Sequence, residues 1–141
     1  MEQSDKKAVL IRELYDYFLQ ENFQIISAEG IEGCKYPAPL HNDGYGDQEN
    51  KRPEVFAYDP DHGCFVIGIT RCERQELASD SSLTEYNVFL DQADPESKKP
   101  FRLYANMPFT LVSEFNSLIR EYIHREYWFR IIVMGSQKIN S

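Results

Sequence analysis

Residues 52–71 read RPEVFAYDPDHGCFVIGITR, and the fold turns on this stretch. Two runs rich in β-branched and aromatic residues, 54–58 and 64–70, flank Asp59-Pro60-Asp61-His62-Gly63. Aspartate bonds readily to backbone a few residues on, and glycine accepts a positive φ, so the run between them is strong turn chemistry. The stretch predicts two strands joined as a β-hairpin. The Asp59-x-Asp61-x-Gly63 spacing also has the opening of a calcium loop. It lacks the later ligands and the closing glutamate, so a turn is the better reading.

Outward from the hairpin, the rest of the chain falls into order. Residues 6–20 carry Leu10, Ile11, Leu14, Tyr15, Tyr17 and Phe18 on one broad stripe at helical spacing, with Ser4 or Asp5 placed to cap them. Residues 23–27 read as a strand. Residues 30–50 read as loop, broken by Pro37, Pro39, Gly44 and Gly46, and 36–50 hold Asp43, Asp47 and Glu49 but no Lys or Arg. Downstream, Ser82-Leu83-Thr84-Glu85 has the form of a capping box and predicts the start of a second helix, ended by Asp94-Pro95. Its inward residues are Leu83, Tyr86, Phe89, Leu90 and Ala93. Residues 101–105 form a strand. Pro108 suits the first position of a third helix whose buried face is Leu111, Phe115, Leu118, Ile119 and Tyr122. Residues 129–134 make the last strand, and the tail after Gly135 is expected to be loose. The order α-β-β-β-α-β-α-β places the chain in the α/β class. It implies a mixed sheet with helices on both faces and parallel neighbours among the later strands.

A length of 141 residues fits a single domain, 1–141, with a real core. Hydrophobic residues at 42% and charged residues at 27% exclude wholesale disorder. No run approaches the roughly 18 apolar residues of a membrane span, and the first residues read as a helix rather than a signal peptide. Cys34, Cys64 and Cys72 are odd in number with no C-x-x-C pair, which points to a reduced, cytoplasmic protein. The net charge is −8. Residues 1–50 hold four Lys/Arg against ten Asp/Glu, and 51–141 hold eleven against thirteen. No basic face is visible, which counts against tight, unaided binding to DNA or RNA. His41, His62 and His124 lack zinc-helix spacing, and neighbouring hairpin side chains diverge, so a Cys64–His62–Cys72 metal cluster is disfavoured. No phosphate loop, dinucleotide fingerprint or G-x-S-x-G motif is present. Tyr122, Tyr127, Trp128 and Phe129 have the faces to stack bases, though packing or a subunit contact is the preferred reading.

This order of elements, with Pro53-Glu54 opening one strand and Ile69-Thr70-Arg71 closing the next, resembles the restriction-endonuclease-like, or PD-(D/E)XK, nuclease superfamily over about residues 6–134. The resemblance implies metal-dependent phosphodiester hydrolysis. Two strand carboxylates would hold Mg²⁺ or Mn²⁺, a lysine two residues on would assist, and a helix glutamate would help. Carried over by position, Glu54 is the first acid, Glu13 the helix glutamate, and Arg71 stands for the lysine. Arginine keeps the charge and can grip phosphate bidentately, but it is no proton acceptor. Read blandly, Arg71 is a strand-end cation paired with Glu73. Ile69 stands at the second acid and offers a cation nothing. Asp47, with Glu54, is the weak metal-ligand candidate, and Asp43 or Glu73 are other acids that would have to relocate. The expectation is a degenerate, non-catalytic domain acting as a binding or assembly module, with no cofactor. Its partner would be a protein or a second copy; nucleic acid would bind weakly and no membrane is involved. The alternatives are an active Mg²⁺-dependent nuclease with a relocated second acid, and a partner-binding protein of unrelated function.

Overall fold

A computed structural model describes residues 2–41 and 50–139. The elements are α1 (Gln3–Gln20), β1 (Gln24–Ala28), β2 (Val55–Asp59), β3 (Cys64–Thr70), α2 (Asp80–Leu90), β4 (Arg102–Pro108), α3 (Val112–Tyr122) and β5 (Ile131–Ser136). Short 3₁₀ turns occupy Arg74–Glu76, Phe109–Leu111 and Arg125–Arg130. The five strands form one sheet in the order β1-β2-β3-β4-β5. β1, β2 and β3 pair antiparallel, whereas β3, β4 and β5 run parallel. The chain is therefore mixed α/β.

The hairpin forms as its chemistry requires. β2 and β3 pair from Val55↔Gly68 to Asp59↔Cys64. In the turn, Asp59 Oδ1 accepts from the N–H of Asp61 at 3.0 Å and of His62 at 3.3 Å. Gly63 closes it at φ +66° and donates to the Asp59 carbonyl. Helices cover both faces of the sheet. Ile11, Leu14 and Phe18 of α1 pack on Val55, Ala57, Val66 and Tyr104. A Cβ on Gly68 would lie 3.2–3.3 Å from Leu14, Phe18 and Val55, so α1 seats closely because that position lacks a side chain. On the other face, Tyr86 and Phe89 of α2 with Phe115, Leu118 and Ile119 of α3 cover Ile67, Ile69, Leu103, Ala105 and Met107.

Several boundaries differ from the sequence reading. α1 begins at Gln3 after Glu2, with no side-chain cap, so neither Ser4 nor Asp5 caps it. α2 starts earlier, at Asp80, and stops at Leu90; Ala93 pairs instead with Pro100 in an isolated bridge. Pro108 is the last residue of β4, where its missing N–H costs no ladder bond, and not the first of α3. Residues 129–130 belong to a 3₁₀ turn because Arg130 is drawn inward, donating from Nη1 to Phe101 O and from Nη2 to Leu90 O. Tyr122 lies exposed, off the buried face of α3. The tail is not loose throughout: β5 runs to Ser136, and Ile139 is buried against Leu10 and Cys72. No described helix is long and apolar enough to cross a membrane.

Candidate functional site

The start of β2 and the end of β3 open into a cleft of about 360 Å³ between α1, α2 and the chain preceding β2. Glu54 and Arg71 both line it. The Glu54 N–H donates to Gly68 O at 3.0 Å, as a strand residue should. Its side chain then prolongs the ladder by one step. Oε1 accepts from the Thr70 N–H and from the Thr70 hydroxyl, both at 2.8 Å. The residue is only 7% exposed. Burial pushes its carboxyl up to about 7, nearby Glu85 adds to the rise, and Arg71 and Thr70 oppose it.

Arg71 is held on three sides. Nε donates to Tyr86 Oη at 3.0 Å, Nη1 to Thr70 O at 2.8 Å and Nη2 to Glu85 Oε1 at 2.8 Å. Its guanidinium also lies 5.0 Å from the Tyr86 ring centre. Burial works against that charge, but Tyr86 and Glu85 hold its pKa above the ordinary arginine value. The Tyr86 hydroxyl in turn donates a hydrogen bond to Leu77 O. Arg71 is thus paired with Glu85 and not with Glu73, which takes Lys6 at 2.8 Å.

That pairing depends on where α2 begins. The N-cap is Ser79, whose Oγ accepts from the Ser82 N–H at 3.2 Å, while the Ser82 hydroxyl donates to Glu76 O. Ser82 and Glu85 therefore make no capping box. Glu85 sits one turn inside the helix, where its carboxylate reaches Arg71. Glu85 and Tyr86 are site residues that sequence reasoning missed. Their signal was their place on the inward side of a helix following the Arg71 strand.

Ile69 lies in β3, two residues before Arg71, which follows the strand's last residue. Its side chain is 0% exposed, packed in the core beneath α2 and α3. Glu13 is not brought to the cleft. Its Oε1 accepts at 3.1 Å from Asn106 Nδ2, which also donates to Leu10 O, so it ties α1 to β4. Asp43 and Asp47 lie outside the described residues. Glu73 does not line the cleft either. The Mg²⁺ or Mn²⁺ that the resemblance implies does not fit what is present. Ile69 has no oxygen, Glu85 is bound to Arg71, and a guanidinium stands beside Glu54. Among the described residues no three His, Cys, Asp or Glu side chains converge on one point.

Charges of both signs rim the cleft. Lys7 pairs with Glu29 at 3.1 Å, and Arg52 stacks 4.6 Å from the Tyr36 ring centre. Glu76 Oε1 accepts from the N–H groups of Cys72 and Glu73. No family model, curated protein or solved structure matches this chain.

Proposed function

We propose that this chain is a restriction-endonuclease-like domain that does not cut nucleic acid and acts as a cytoplasmic binding or assembly module. The order of elements supports this reading, with an antiparallel β1-β2-β3 unit leading into parallel β4 and β5. So does the position of Glu54 beside the end of β3. The observation that carries it is Ile69, 0% exposed at the place of the second acid. A hydrolytic Mg²⁺ needs several converging oxygens to activate a water, and a buried sec-butyl side chain supplies none. Arg71, locked to Glu85 and Tyr86, adds a positive charge where a cation would have to sit. The net charge of −8 suits a protein partner better than a phosphate backbone.

The test is incubation with labelled single- and double-stranded DNA and RNA in Mn²⁺, beside a Glu54→Ala variant. The expected result is no cleavage by either protein. Cleavage by the wild type that vanishes in the variant overturns the reading.

A further inference from the structure

The two edges of the sheet are finished differently. On β1 a bulge breaks the ladder between Ile25 and Ser27, and the Ala28 N–H donates to the Lys35 carbonyl at 3.0 Å. Both devices blunt an edge against further pairing. β5 has neither. Its register with β4 is unbroken from Leu103↔Ile131 to Pro108↔Ser136, and its sequence, IIVMGS, holds no charged residue and no proline. Among the described residues no backbone hydrogen bond from Ile131–Ser136 reaches any backbone but that of β4. About half of the N–H and C=O groups of such a strand point away from its one neighbour. Large apolar side chains stand exposed around this open edge. Phe129, just before the strand, is 79% exposed, Phe109 58% and Trp128 36%. Half-buried Ile131 and Val133 share a groove with Trp128, and a second groove of about 460 Å³ lies at Phe109 and Val112. Asn116 and Arg120 line both, so the two are continuous.

We infer that β5 is the seam of a homodimer, pairing antiparallel with β5 of a second copy about a two-fold axis so that two five-stranded sheets run on as one. The two ends of the edge complement each other. Antiparallel pairing lays the first end of one β5 against the last end of the other. Phe129 stands exposed at the first end. Phe109 and Val112 border the larger groove at the last end, close enough to Gly135 that a Cβ there would lie 3.1 Å from each. Each copy thus offers a knob and a recess, and the two-fold fills both at once. A lone strand of another protein pairs with the backbone but leaves one of them unfilled. The area agrees with this occupant. An aromatic side chain covers roughly 150–250 Å² when buried, so the exposed parts of Phe109, Trp128 and Phe129 offer about 350 Å². The half-buried side chains of the strand bring this to about 600 Å² a copy, at the lower bound of a specific interface, roughly 1,200 Å² in all.

This inference rests on the assembly reading of the chain and names its partner. The experiment is sedimentation equilibrium of the full chain, joined to amide hydrogen exchange above and below the dissociation midpoint. A mass twice the 16.5 kDa of one chain is expected. For an interface of this size the dissociation constant should be on the order of micromolar. In the dimer about half the amides of Ile131–Ser136 should exchange more slowly than in the dilute monomer. Phe129→Glu should raise the dissociation constant about tenfold or more. Because that ring is exposed, the dilute variant should melt with the dilute wild type. The proposal is overturned if the wild type stays a monomer through the millimolar range, which leaves β5 to a strand of another protein. A mass that climbs past two copies, the mark of β5 pairing head-to-tail on β1, overturns it too. So does a dimer in which exchange at Ile131–Ser136 is unchanged, or equal dimerisation by Phe129→Glu. Any of these outcomes leaves the loss of cleavage standing, because that is read from oligonucleotides in Mn²⁺.

Discussion

Replacing Glu54 by Gln gives the most direct test of how the cleft is built. Folding moves this carboxyl from its ordinary 4.5 to about 7. At about 1.4 kcal/mol per pH unit, that difference amounts to about 3 kcal/mol of stability. The sign follows from proton counts. Between pH 4.5 and 7 the folded protein keeps a proton that the unfolded chain has released. Stability from this group is therefore complete below about pH 4.5, declines as pH rises, and is fully lost above about pH 7. Glutamine reproduces the neutral form: its amide oxygen can accept both Thr70 bonds, and its NH₂ takes the place of the O–H. Urea unfolding followed by far-UV circular dichroism and Trp128 fluorescence at pH 5 and pH 8 reads the effect. Taking the difference between the two pH values removes contributions common to both proteins. The variant should gain about 2 to 3 kcal/mol on the wild type between pH 5 and pH 8. Midpoints that shift equally at both pH values, with the denaturant slope unchanged, would refute a buried, proton-holding Glu54.

Other substitutions test the rest of the site and fold. Ile69→Asp removes a fully buried aliphatic group, worth about 2–5 kcal/mol, and leaves a carboxyl without a partner, worth about 1–3 more. Its melting temperature should fall sharply and no Mn²⁺-dependent cleavage should appear; a stable variant that nicks DNA would contradict the reading. Glu85→Ala strands the Arg71 guanidinium, whose side chain is 8% exposed, and should cost about 3–5 kcal/mol in urea unfolding, with Gln recovering part of it. Ile139→Ala should lower stability by about 2 kcal/mol or more if the tail packs on Leu10 and Cys72, and an unchanged melting temperature would show that contact to be idle.

What could be read from the chain was what local chemistry fixes. Asp59 and Gly63 pin the turn, so β3 occupies the residues assigned to it from sequence, Cys64–Thr70. The α1 stripe is buried at Leu10, Ile11, Leu14 and Phe18, while Tyr15 and Tyr17 lie at its margin. The cap of α2 was misread because Ser82-Leu-Thr-Glu85 satisfies the local rule as well as Ser79 does. The choice between them is made from a distance, by Arg71 fourteen positions before Glu85. Similarly, Pro108 is acceptable both at a helix start and at a strand end. A lone Ile139 in a polar tail has no periodicity to announce that it is buried. Glu54 and Arg71 line one cleft, whereas Glu13 is drawn elsewhere by Asn106.

The packing of Ile69 beside the anchored Arg71 also shapes where mutation can take this protein. Placing an acid at 69 alone puts it under α2 and α3, and removing Arg71 alone leaves Glu85 and Tyr86 without their shared cation. Each single step lowers stability before any metal chemistry can appear, against a total reserve on the order of 5–15 kcal/mol. A metal centre could be built here only by changing several positions at once, an epistatic ratchet against gaining one.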